Sequence, residues 1–123
     1  MVSFENFIID GASPIYLQIL LHIKRGVVAG IISDGEELPS RRILSALLGV
    51  NPNTVQKAYR LLEEEDLISS RSGAKSFITL TQAKKERLRA ELLEEDAMNV
   101  VISMKQMGIS KAEAMALLEK YWD

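Results

Sequence analysis

The chain's three prolines, Pro14, Pro39 and Pro52, constrain its folding more than any other feature, because each stands where a helical pattern is about to begin. Proline is tolerated in the first turn of a helix, where its missing N–H has no partner to lose, and is excluded from the interior. Residues 13–62 are therefore cut into short helices. Ser13 is placed to cap a first helix entered through Pro14, whose buried face holds Tyr16, Ile19, Leu20, Ile23 and Val27 at helical spacing. It runs to about Ala29, and Gly30 ends it. Asp34 and Gly35 mark a turn, and Glu36 to Leu38 form a short strand before Pro39. Ser40 caps a second helix, apolar through Ile43, Leu44, Leu47 and Leu48, which Gly49 stops. Asn51 caps a third, with Pro52 in its first turn.

The third helix carries two opposed stripes. Val55, Ala58, Tyr59 and Leu62 recur as i, i+3, i+4, i+7, and so do Asn53, Gln56, Lys57 and Arg60, displaced by two residues. Two residues are about 200° of helix rotation, so one stripe is a core face and the other a polar, long-armed, basic face. Thr54 lies near the exposed N-terminal edge. Two short helices joined by a tight glycine-bearing turn, the second with such a face, form the helix-turn-helix pattern. Residues 67–71 and 75–80 then read as two strands reversing at 72–74. A hairpin in that place is the wing of a winged helix, with Arg71 and Lys75 flanking its tip. The expected fold is mainly α with a small β-hairpin wing: a winged helix-turn-helix domain over residues 1–80, followed by a helical tail over 81–123.

The formal net charge is −2, yet net charge averages over faces. Arg41, Arg42, Lys57 and Arg60 lie between Leu38 and Leu62 with no acidic residue among them, and Glu63, Glu64, Glu65 and Asp66 follow at once. A basic patch on one face is what the electrostatics of DNA binding requires. The four acids are expected to form a solvated face beyond the groove rather than a metal site. With no cysteine, disulfides and thiolate metal sites are excluded. His22 is the single histidine, expected at the surface or packed, and no catalytic constellation or phosphate loop is evident. The reading is not an enzyme, no cofactor and no metal. No apolar run approaches the roughly 20 residues of a membrane helix, and the start of the chain lacks the pattern of a signal peptide. A cytoplasmic protein is expected.

From Thr81 onward helix formers dominate. Leu93, Ala97, Val100, Met104 and Met107 alternate steps of four and three, a short coiled-coil-like seam broken by Gly108. Ser110 and Glu113 form a capping box opening a last helix, with Ala114, Leu117, Leu118 and Tyr121 on one side. Leu88, Leu92 and Val101 add apolar positions that a lone two-helix hairpin does not cover, so a second copy of the chain is the simplest partner. Met98, Met104, Met107 and Met115 are read as packing residues.

On these residues a resemblance emerges. The segment LPSRRILSALLGVNPNTVQKAYRLLEEEDLISSRSGAKSFI resembles the DNA-binding domain of GntR-type bacterial transcription regulators, and PIYLQILLHIKRGVVAGII is similar to that domain's first helix. The short helical tail resembles the YtrA-type subfamily, in which the tail is a dimerisation module. The resemblance implies a homodimeric regulator, usually a repressor, that binds a pseudo-palindromic double-stranded DNA operator through recognition helix 52–65 and wing 71–77. It implies DNA contacts from Arg42 in the second helix, from Asn51, Asn53, Thr54, Gln56 and Lys57 at the recognition-helix end, and from Gly73 and Lys75 at the wing. Two positions depart from the family pattern: Ala74 stands where a basic residue is usual, and Arg41 replaces a small or aliphatic residue and adds a phosphate contact. Arg60 lies on the same polar face. No small-molecule effector is assigned.

Amide and guanidinium groups match base edges in pairs, which suits Asn53, Gln56 and Arg42 to sequence readout, whereas Lys57, Arg60 and Lys75 suit phosphates. Asn51 has two open roles, base contact and helix cap. Tyr59 is expected in the core. The competing function is a protein-interaction adaptor docking through residues 81–123 without specific DNA binding. It has no need of basic side chains beside Asn53 and Gln56.

Overall fold

The computed structural model describes residues 1–71 and 75–123. Helix α1 (Ile15–Val28) begins one residue later than the Ser-Pro pair suggests, with Pro14 at the cap position. Ser13 does not supply the cap. Pro14 is extended, and its carbonyl accepts from the N–H groups of Leu17 and Gln18 at 3.1 and 3.3 Å. The Gln18 amide closes the remaining polar groups, donating to Ser13 O at 2.7 Å and bonding the Asp10 backbone in both directions. At the other end Gly30 takes a left-handed φ of 78°, and the N–H groups of Ile31 and Ile32 both reach Gly26 O. A Cβ on Gly26 would meet Ile32 Cδ1 at 2.5 Å, so the glycine admits the return of the chain over α1.

Strand β1 (Glu37–Leu38) leads into α2 (Arg41–Leu48). Ser40 Oγ accepts from Ile43 N at 3.1 Å, and Gly49 ends the helix at φ 67°. Helix α3 (Pro52–Glu64) is capped by Asn51, whose Oδ1 accepts from Asn53 N at 2.8 Å. Val55, Ala58, Tyr59 and Leu62 are all completely buried, as their spacing predicts. They join Ile19, Leu20, Ile23 and Val27 of α1, Leu44 of α2, and Leu38, Leu67, Ile68 and Ile78. Burying each large side chain contributes about 1.5–3 kcal/mol. Of the apolar residues of α2 Leu44 is buried, whereas Ile43 and Leu47 are exposed. An eight-residue helix presents only about two turns to a core.

The hairpin is part of a three-stranded antiparallel sheet ordered β1-β3-β2, with β2 (Ile68–Ser70) and β3 (Ser76–Ile78). Its strands are shorter than expected. Register pairs Leu38 and Ser70 with Ser76, and Glu37 with Phe77. Residues 72–74, where the reversal is expected and Gly73 falls, lie outside the described residues. The N-terminal segment is also packed: Val2 and Phe4 are buried, and Val2 N donates to Glu37 O at 2.8 Å. His22 stacks among Phe4 and Phe7 with ring centroids 4.6 and 5.2 Å away, and its Nε2 lies 2.8 Å from Ser3 O.

Contacts divide the chain into two units, Met1–Leu88 and Arg89–Asp123, and the division falls within α4 (Gln82–Gln106). In the first unit Thr81 Oγ1 accepts from Lys84 N, Lys84 Nζ donates to Asp66 O at 2.7 Å, and Leu88 is buried. The second unit holds the rest of α4 and α5 (Lys111–Trp122), capped by Ser110 Oγ accepting from Glu113 N at 3.2 Å. α5 has no buried residue.

Candidate nucleic-acid interface

Alternation of buried and exposed positions along α3 builds the site. Asn53, Gln56, Lys57 and Arg60 are exposed, and Thr54 is half-buried. The core stripe fixes the helix's rotation, so these side chains project from the protein as a set. The cap occupies Asn51 Oδ1, which leaves the amide nitrogen as the free end of that side chain. Of its two open roles, the cap is realised.

The basic residues differ in how they are held. Lys57 Nζ lies 4.0 Å from the ring centroid of Tyr16 in α1, a cation–π contact. Arg60 reaches down its own helix toward Glu64, 3.9 Å away. Arg41 is half-buried, its guanidinium 5.3 Å from the Tyr59 ring centroid and its Nε buried with no hydrogen-bond partner among the described residues. Arg42 and Lys75 are exposed. No hydrogen bond or ion pair among the described residues joins either to an α3 side chain. At the base of the wing Arg71 stacks on Phe77 at 4.7 Å, and Arg71 N donates to Lys75 O at 2.9 Å. Gly73 lies outside the described residues.

Tyr59 is the pin of this arrangement. Its hydroxyl donates to Pro39 O at 2.7 Å, joining α3 to the entry of α2. Burial pushes the phenol well above its ordinary range, with the charge of Arg41 opposing, so Tyr59 stays a neutral donor at physiological pH. The acidic run sits at the far end of α3. Glu63, Glu64, Glu65 and Asp66 are exposed, and Glu65 pairs with Lys24 of α1 at 2.9 Å. That ion pair ties the C-terminal end of α3 to α1, a structural task the sequence pattern does not reveal. Among the described residues no group of three or more potential ligands is placed to hold a metal ion.

Two features of the site were missed from sequence. Helical spacing places Tyr16 on the buried face of α1, but it is half-buried and holds Lys57. The signal was its place at the end of the apolar stripe, where a core face runs out. The sequence places Arg71 only beside the wing tip, and its ring contact requires knowing the β-strand register.

In the second unit, Leu93, Ala97, Val100, Met107, Leu118 and Tyr121 are exposed, while Met104 and Leu117 are half-buried. Met98, Val101, Ile102, Met115 and Trp122 are exposed as well, so the apolar surface is wider than one seam. Among the described residues no helix is long and apolar enough to cross a membrane.

The model of the gntR family of bacterial regulatory proteins matches residues 15–78. Over 109 residues the chain is 35% identical to the HTH-type transcriptional repressor YtrA of Bacillus subtilis (strain 168), an alignment spanning 89% of this chain and 79% of that protein. A GntR family transcriptional regulator from Listeria monocytogenes superposes with a TM-score of 0.78 at 33% identity, covering 91% of this chain and 98% of that one. YtrA from Sulfolobus acidocaldarius, a GntR-family transcription factor, superposes with a TM-score of 0.57 at 30% identity over 77% of this chain and 99% of that one.

Proposed function

Because this chain belongs to the gntR family of bacterial regulatory proteins, and is thus a DNA-binding transcription regulator of winged-helix fold, we propose that it acts as a homodimeric repressor. It recognises a pseudo-palindromic operator in double-stranded DNA. The observation that carries this reading is α3: a fully buried stripe opposite Asn53, Gln56, Lys57 and Arg60, with the acids gathered at the far end. Asn53, Gln56 and Arg42 read base edges, each good bidentate pair discriminating by about 1–3 kcal/mol. Lys57, Arg60, Arg41 and Lys75 bind phosphates, with Thr54, Asn51 and the wing at Gly73 alongside the recognition helix. Residues 1–80 form the DNA-binding part and 81–123 the dimerisation tail.

Homodimerisation is supported by the uncovered apolar side chains of the tail, among them Leu93, Val100, Val101, Met107, Leu118 and Tyr121. A patch of this kind left in water favours association, and a two-fold dimer makes an inverted-repeat operator its natural target. Selection of bound duplexes from a random DNA pool, together with sedimentation of the free protein, tests the proposal. An inverted repeat bound by a dimer is the expected result. Recovery of no motif at any salt concentration would sink it, and a stoichiometric protein partner without DNA affinity would favour the adaptor role.

A further inference from the structure

Tyr16 stands apart from the rest of its stripe. Ile19, Leu20, Ile23 and Val27 are buried, whereas Tyr16, one turn earlier, is only half-buried. Its ring lies under the Lys57 ammonium at 4.0 Å. Lys57 is itself exposed on the polar face of α3, so the ring marks the edge of the proposed DNA surface. The Tyr16 hydroxyl makes no hydrogen bond among the described residues, and it is not among the fully buried unpartnered polar atoms. A phenol beside an ammonium presents one neutral and one charged donor side by side, a pairing suited to a single DNA phosphate.

We propose that Tyr16 and Lys57 form a composite clamp on the DNA backbone, in which the Tyr16 ring positions the lysine and the Tyr16 hydroxyl donates to the phosphate that the lysine neutralises. The clamp deepens the DNA-binding reading above and rests on it. A long lysine loses considerable rotamer freedom when it binds, and the ring restricts that freedom in advance. Held over Tyr16, Lys57 serves backbone registry, and base readout falls to its neighbours. α1, which the helix-turn-helix pattern treats as scaffold, becomes part of the interface.

The test measures affinity for the selected operator duplex and for an unrelated duplex across a salt series. It uses the full chain as wild type, Tyr16→Phe, Tyr16→Leu, Lys57→Ala and the Tyr16→Leu/Lys57→Ala double variant. Tyr16→Phe keeps the ring and the fold but lacks the hydroxyl; it should weaken both duplexes about threefold and leave the salt slope unchanged, because no counterion release is lost. Tyr16→Leu should lose about tenfold. The double variant should be clearly less impaired than the product of the two single losses, the non-additivity expected of a coupled pair. Thermal midpoints within a few degrees of wild type for Tyr16→Phe separate this from a packing defect. Wild-type affinity in Tyr16→Phe, or simple additivity in the double variant, overturns the clamp while DNA binding stands. Failure of the wild-type chain to bind any duplex overturns the functional reading itself.

Discussion

Lys57 and Arg60 carry the same charge on the same face of α3, yet they are held differently. Lys57 is held by an aromatic ring, while Arg60 is shared with Glu64 in an exposed pair that contributes little to stability. Gln56 has no charge to release. Gln56→Ala is therefore expected to relax base preference with little change in salt dependence. Lys57→Ala should weaken specific and unrelated DNA alike and flatten the salt slope by about one. Titration of both variants on operator and mismatched duplexes checks the division, and identical behaviour would contradict it. Tyr59 gives a second prediction at this scale. Tyr59→Phe leaves Pro39 O without its buried partner and should cost about 1–3 kcal/mol of unfolding free energy, read from denaturant melts. A raised phenol pKa in the folded state means that the folded protein holds this proton more tightly. The linked stability is therefore present below the unfolded-state value and lost as pH rises above about 10. Wild type should weaken above that pH more steeply than Tyr59→Phe.

The helices are defined by their ends. Ser40, Asn51 and Ser110 each accept a hydrogen bond from the first turn they open, and Gly49 takes the left-handed conformation that ends α2. Asn51→Ala should lower stability by about 1 kcal/mol. Asn51→Ser keeps a cap acceptor without the amide nitrogen, so it is expected to restore both stability and operator affinity. Loss of affinity in a fully stable Asn51→Ser protein would show that the amide reads DNA. These caps were legible because capping is local: a few adjacent residues decide it. The start of α1 departs from the Ser-Pro expectation because Gln18 closes the polar groups there, and nothing in the Ser-Pro pair announces a side chain four residues beyond Pro14. The two-residue β1 and its place beside β3 were legible only in part, since sheet order depends on pairing residues some forty positions apart.

At the scale of the whole molecule, the first unit has a continuous core and the second leaves its apolar side chains in water. Stability of the chain should therefore depend on protein concentration, with the melting temperature rising on concentration as dimer forms. Val101→Glu, which charges an exposed apolar position of α4, is expected to shift the protein to monomer in sedimentation. It should also weaken operator binding at least tenfold, because two half-sites bound independently lose the gain of a linked pair. A Val101→Glu protein that stays dimeric would place the association surface elsewhere.

The sequence by itself determined the caps of α2, α3 and α5, which face of α3 is core, and which residues make the opposite face polar, because periodicity and caps act over a few residues. It also pointed to the family through motifs that the comparison bears out over residues 15–78. Only the tertiary structure decided that Tyr16 meets Lys57, that Arg41 rests on Tyr59, that Glu65 pairs with Lys24, and that β1 joins the wing in one sheet. Those contacts join separate elements, between α1 and α3 across some forty residues of chain, and no local pattern records them. The physical reason is the same in each case: a helix chooses its own faces by the spacing of its residues, but what those faces touch is settled only when the elements pack.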